Sequence, residues 1–295
     1  MFAHLRRSLA RHRAGYLFIL PCLLVTTVFF IVPLLMTVWM SFNHWPLLGS
    51  SSFIGFKNYL DLLSDESFWG SIAFTLKYTL VVTPAIFLVA FGLALLVNRS
   101  VRFVGLFRTA YFLPVVIGMT TASLLWTWMF NDQVGIFSAV LMDLGVIDEP
   151  VQWLGETNSA LASILVMVLW KASGFTMVIL LVGMQAIPHD LYEAACLDGA
   201  SWWSQIRHIT IPLMRRTFAL ALTMSLIGSF LAFEQFFVMT RGGPFNSTIT
   251  VVHWIYRASF TYFKLGYGAA MSVVLLLILL AISGLQMYLL RDDHE

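Results

Sequence analysis

Six stretches of this chain approach the length of a membrane-crossing helix with no Asp, Glu, Arg or Lys, save one lysine: residues 14–56, 78–98, 109–131, 157–189 around Lys171, 217–233 and 265–290. A helix crossing the hydrocarbon layer needs about 20 mostly apolar residues. Six such runs in one chain leave room for little besides an all-α membrane protein. Charged residues make up 11% of the 295 residues, whereas a soluble domain carries roughly 25%. An ordinary soluble domain, a disordered tail, a nucleic-acid reader and a secreted disulfide scaffold are excluded together. Cys22 and Cys196 have neither framework nor metal-ligand spacing.

Within the first run, Asn43, His44, Pro46 and the stretch 49–52 supply turn chemistry, so the helix should end near Met40. The six expected spans are about 16–40, 74–98, 109–130, 159–182, 217–239 and 266–290, forming one permease-like domain over 16–290 between a basic tail, 1–15, and a short tail, 291–295. A signal peptide has an apolar core of about 7–15 residues and a small-residue cleavage site. The first run is longer and is followed by Trp39 and Met40, so it reads as a retained anchor.

Lys and Arg concentrate on the cytoplasmic side of membrane proteins. Arg6, Arg7, Arg11 and Arg13 precede the first span; Arg99, Arg102 and Arg108 follow the second; Arg207, Arg215 and Arg216 follow the fourth; Arg291 follows the sixth. The opposite loops hold only Lys57, Arg241, Arg257 and Lys264. Both termini are therefore expected in the cytoplasm. Trp39, Trp45, Trp69, Trp126, Trp128 and Trp153 fall at the outer span ends, where an interfacial aromatic belt would put them.

The loop between the fourth and fifth spans, about 188–212, is too polar to cross, yet it carries helix signals. Pro188 precedes His189-Asp190-Leu191-Tyr192-Glu193, with an acidic residue early. Leu191, Ala194, Ala195 and Leu197 give this piece an apolar side, and Gly199 breaks it before a second amphipathic piece from Ser201 to Pro212. As physics alone, this describes a helix pair lying on the headgroups with Trp202 and Trp203 as anchors.

Glu193-Ala194-Ala195, then Asp198-Gly199-Ala200, then Ile209-Thr210-Ile211-Pro212 closely resembles the EAA loop of permease subunits from binding-protein-dependent ABC importers, with Ile211 where the pattern usually has Leu. Phe56-Lys57-Asn58-Tyr59, Phe107-Arg108, Leu113-Pro114, Trp170-Lys171 and Gly242-Gly243-Pro244 followed by Ser247-Thr248 extend the likeness along nearly the whole chain. Their order is most similar to the carbohydrate-uptake branch and, within it, to the maltose-type first permease. The resemblance implies a type I importer permease fold of six transmembrane helices with a cytoplasmic coupling helix. In that helix Glu193, Ala194, Ala195, Asp198 and Gly199 would meet an ATPase subunit. It further implies a homologous second permease subunit, two ATPase subunits that use ATP and Mg, an extracytoplasmic solute-binding protein, and residence in a prokaryotic inner membrane among its lipids. No cofactor and no nucleic acid would bind this chain, and sugar import would be the function.

Charged groups inside spans are costly and mark functional candidates, which singles out Lys171 and Glu234. On span five Ser225, Ser229 and Ala232 form a small, partly polar stripe, and on span four Lys171 and Phe175 share a face. Maltose-type relatives place their sugar site on these segments, so Met119, Trp170, Lys171, Phe175, Ser225, Ser229 and Glu234 are the expected pathway residues. Close helix packing also calls for small residues like these. Arg241, Gly242, Gly243 and Pro244, with the acidic loop 132–158, are the expected docking face for the external binding protein. The segment Phe53–Leu63, amphipathic with Phe56, Tyr59, Leu60 and Leu63 at helical spacing, is expected to share that docking face.

A gradient-driven carrier is the alternative. It would normally show several intramembrane ionisable groups, where only Lys171 and Glu234 qualify, and it leaves the EAA spacing unexplained. The seven histidines are scattered over tails, loops and span edges, so they form no catalytic constellation, and the chain has no Gly-rich loop ending in Gly-Lys-Ser/Thr to cradle phosphates.

Overall fold

The computed structural model describes residues 13–98 and 102–289. The basic tail before Arg13, Arg99 and the 291–295 tail lie outside them. The chain divides into two units, residues 1–64 with 255–276 and residues 65–254 with 277–295.

The first unit opens with α1 (Arg13–Thr26) and α2 (Val32–Ser41), joined by a wide π turn over Thr27–Ile31. Pro33 has no N–H to return to the preceding turn, and beside it the Val32 N–H reaches back five residues to Thr27 O. The backbone thus opens at the proline without breaking. The resulting span, Leu17–Ser41, is 25 residues long and none of its most apolar window is buried. It is apolar on every side, as a helix surrounded by lipid or by other apolar helices would be.

After it, β1 (Asn43–His44) pairs antiparallel with β2 (Ser52–Phe53). Then α3 (Lys57–Leu63) turns over the hairpin. The expected amphipathic segment is helical, with Phe56, Leu60 and Leu63 exposed and Asn58 and Leu62 buried. Hydrogen bonding sets which side is buried. The Asn58 amide donates to Ser41 O (2.8 Å) and Asn43 O (3.1 Å), carbonyls at the end of the span that would otherwise be buried without a donor. Gly266, at the start of the last helix, packs so closely on this hairpin that a Cβ would stand 2.1 Å from Asn43 O.

The second unit is organised by two long helices, α4 (Glu66–Val97) and α8 (Thr157–Gln185). Helix α4 begins eight residues before the expected start of span two. Asp65 caps it, its carboxylate accepting from Ser67 N (3.0 Å) and Phe68 N (3.1 Å), so the charged Glu66 and Lys77 belong to the helix. One apolar cluster gathers Tyr78, Val82, Trp126, Ile164, Met167 and Phe236; a second gathers Ala90, Ala94, Met177, Leu180, Met184 and Met214. Alanines and glycines set the distances: a Cβ on Gly174 would lie 2.1 Å from Tyr111 O, and one on Gly183 would lie 2.5 Å from the Thr217 hydroxyl. Trp126 is not part of an interfacial belt. It is buried, with rings of Phe130, Phe137 and Trp170 centred 5.5–5.6 Å away.

The third span is broken. Helices α5 (Val104–Val116) and α6 (Met119–Met129) meet at 96° across Ile117 and Gly118. Span five is interrupted too, α12 (Arg215–Phe230) giving way to α13 (Glu234–Met239) across 231–233. The acidic loop contains an additional helix, α7 (Ile136–Asp143). It starts at Gly135, where a Cβ would collide with Asn131 O at 2.2 Å. Span six is α15 (Leu265–Leu289), preceded by α14 (Val251–Tyr256). Among the described residues five helices are long and apolar enough to cross a membrane, and the bent pair makes a sixth span.

Candidate functional site

A cavity of about 220 Å³ opens between spans two to five. It sits where α12 nears its end and α5 has just stopped, so the breaks in two spans leave room that continuous helices would fill. Met119, Lys171, Phe175, Ser225 and Ser229 line it, together with Tyr78, Thr176 and Gln235. Five expected pathway residues therefore come together on one wall.

The other two do not. Trp170 stands on the far side of α8, packed on Trp126 with ring centroids 5.5 Å apart. Glu234 lies beside the cavity without lining it, exposed in this chain, where its Oε2 accepts from Thr120 Oγ1 at 2.7 Å. Tyr78, Thr176 and Gln235 were not anticipated from the sequence. The only available signal was a hydroxyl or amide inside an apolar run, which hydropathy averages away.

The polar groups in the wall are mostly committed. Lys171, buried, donates from Nζ to Val115 O at 3.0 Å. Ser229 Oγ donates to Ser225 O at 2.7 Å, so its contact with Thr83 Oγ1 at 3.2 Å must have Thr83 as donor. That bond ties α12 to α4, and Ser229 thus serves both helix packing and the cavity wall. The Gln235 amide donates to Tyr78 OH at 3.4 Å, and the Tyr78 ring meets Phe236 edge-on at 5.0 Å. The half-exposed ring of Phe175 is the apolar surface facing the space. Such a wall offers hydroxyls, an amide and one aromatic face, which suits weak, multi-point binding of a polar solute. Among the described residues no group of three His, Cys, Asp or Glu could hold a metal ion.

The EAA segment forms α9 (His189–Leu197), then α10 (Trp202–Gln205), a π turn over Ile206–Thr210 and α11 (Ile211–Leu213). Gly199, at φ +77°, ends α9 in the left-handed conformation, while Ala200 N donates to Ala195 O and Gly199 N to Cys196 O, a Schellman-type cap. Ser201 then caps α10. Tyr192 OH and Thr210 Oγ1, 2.9 Å apart, lock the two pieces together. Glu193, Ala194, Asp198 and Gly199 are exposed and Ala195 is half-buried. Glu193 Oε1 lies 3.0 Å from His189 Nδ1 one turn back. A concavity of about 1110 Å³ runs beside α9, lined by Tyr192, Glu193, Cys196 and Trp202 among others. The apolar side chain of Leu197 is exposed rather than packed.

Gly242, Gly243 and Pro244 form a tight turn after α13. Thr248 Oγ1 donates to Gly243 O (2.6 Å) and lies 2.8 Å from Thr240 Oγ1, and Ser247 Oγ lies 2.8 Å from Thr157 Oγ1. Arg241 enters the turn at φ +51° and Gly242 at +84°, and Phe245 stands fully exposed at its tip.

The inner-membrane component of binding-protein-dependent transport systems, as a family model, matches residues 86–292. A probable ABC transporter permease protein of Pyrococcus horikoshii is 33% identical over 90% of this chain and 91% of its own length. The trehalose/maltose transport system permease protein MalF of Thermococcus litoralis is 34% identical over 94% of this chain and 92% of its own. Among solved structures, a chain of a bacterial ABC transporter involved in the import of the acidic polysaccharide alginate superposes with a TM-score of 0.88 at 22% identity, covering 99% of this chain and 100% of that one. The fold is thus that of a type I importer permease. With its family model matched over most of its length and relatives aligned nearly end to end, this chain belongs to the binding-protein-dependent transport system inner membrane components, as a multi-pass permease subunit of an ABC importer whose ATP hydrolysis is carried out by partner subunits.

Proposed function

We propose that this permease forms one half of the pathway for a sugar or sugar-like solute, and that the cavity of Met119, Lys171, Phe175, Ser225 and Ser229 is its part of the solute site. The observation that carries this reading is the cavity wall itself: an aromatic face beside hydroxyl and amide groups, next to the bend in span three and the non-helical stretch 231–233 of span five. A sugar presents the complementary surface, apolar C–H faces and a rim of hydroxyls. The trehalose/maltose permease named above supports the same class. At about 220 Å³ the cavity is smaller than the ~300–1,000 Å³ of ordinary small-molecule sites, which fits a site completed by a second, homologous permease subunit.

The exposed face of α9, with Glu193, Ala194 and Asp198, serves as the coupling helix and seats in one of two cytoplasmic ATPase subunits, which bind the ATP and Mg that this chain does not. Both termini then lie in the cytoplasm, and the turn 241–244 with the acidic loop receives the solute-binding protein on the opposite side. Purification of the tagged chain in mild detergent, with mass spectrometry of what accompanies it, tests the assembly. One second permease and two ATPase copies per chain are expected. A chain that emerges alone after mild crosslinking would overturn the proposal and favour a gradient-driven carrier.

A further inference from the structure

Two groups beside the cavity are engaged with the protein in a way that a solute ligand need not be. Where α5 stops, its last carbonyls have no helical partner and form the negative end of the helix dipole. Val115 O accepts from the Lys171 ammonium at 3.0 Å, and a buried cation answers both needs. On the other side of the break, Thr120 in the first turn of α6 donates to Glu234 Oε2 at 2.7 Å. Glu234 is the first residue of α13, the outer piece of the other broken span. Lys171 thus ties the α5 terminus to α8, and Glu234 ties α13 to α6.

We propose that Lys171 and Glu234 are positioning residues: Lys171 holds the end of α5 on α8 and Glu234 holds α13 on α6, so that they set where the half-helices α6 and α13 stand beside the cavity, and neither binds the solute. The effect on transport rests on the cavity being the pathway, as proposed above; the effect on the break does not.

The test uses the assembled importer with Cys22 and Cys196 changed to Ser and Gly118→Cys placed at the break, where a new Cβ meets nothing nearer than Thr121 Oγ1 at 3.9 Å. Maleimide labelling of that cysteine reads the break directly. Lys171→Met is expected to speed labelling roughly tenfold, the consequence of losing one charged hydrogen bond. Glu234→Gln, which keeps an acceptor for Thr120 but no charge, should give a smaller increase, and Lys171→Arg should restore the original rate. With maltose as the probe in reconstituted uptake, Lys171→Met and Glu234→Gln should lower the maximal rate and leave the half-saturating concentration unchanged. Unchanged labelling in both variants, or a raised half-saturation with unchanged labelling, overturns the proposal. If Lys171→Met fails to assemble, Glu234→Gln and Lys171→Arg carry the test. If the unmodified importer moves no maltose, labelling still decides the positioning claim while the sugar reading fails on its own.

Discussion

Ser229 shows how one hydroxyl can serve packing and passage together: it is buried, bonded along its own helix and to Thr83 on α4, and yet it borders the cavity. Ser229→Trp should fill that space and abolish solute uptake with the subunit still assembled, while Ser229→Ala should leave uptake within about threefold, since one neutral hydrogen bond is worth about 1 kcal/mol. Uptake unaffected by the tryptophan would remove span five from the pathway. Gly174 tests packing in isolation. A Cβ there meets the Tyr111 carbonyl, whereas Gly70, also helical, has nothing within 4 Å. Gly174→Ala should destabilise by about 1–3 kcal/mol through overpacking and Gly70→Ala should gain up to about 1 kcal/mol of helix propensity, a contrast readable as opposite shifts in the thermal unfolding of the purified complex. Residue identities were only partly legible in the sequence. Lys171, Phe175 and Ser225 could be placed on helix faces by spacing, but Trp170 shares α8 with Lys171 and Phe175 and faces Trp126, which spacing alone did not exclude. Tyr78 and Gln235 went unseen because each becomes a wall residue only through the tertiary approach of α4 and α13.

Among the elements, absence of charge located the spans well and their interruptions poorly. The run through span three is apolar on both sides of Gly118, so a hydropathy reading continues across a 96° bend. The cause was written locally, in Pro114 and Gly118, but chain topology decides whether such a pair kinks or breaks a helix. Span two differs the other way: the expected 74–98 already held Lys77, and the cap at Asp65 begins the helix earlier, at Glu66. The loop helix α9 was legible because its signals are local, with Pro188 before it and Gly199 after it. In α9, Glu193→Lys should leave expression and span assembly intact while cutting ATP-dependent uptake by at least about tenfold, as expected if a charge-assisted contact of about 1.5–3 kcal/mol joins it to the ATPase. Normal uptake by that variant would refute the docking role. In α3 the helical spacing was legible, but not which side is buried, which the Asn58 amide decides by bonding the carbonyls of Ser41 and Asn43.

At the scale of the whole molecule, the surface of this chain belongs to an assembly. Five helices and one bent pair expose broad apolar faces, which lipid accepts. Glu234 is a poor fit for lipid: it is exposed at the start of α13, and a charge left facing hydrocarbon there would cost about 2.5–3.5 kcal/mol. Until another subunit covers it, the newly made protein carries on its flank a mark of its own incompleteness. Membrane proteases that survey polar groups in the bilayer would then remove chains produced in excess of their partners, and a single carboxylate would keep subunit synthesis in proportion without a dedicated regulator. Pulse-chase of the chain expressed without partners should show a short lifetime that Glu234→Gln lengthens and co-expression of the second permease abolishes.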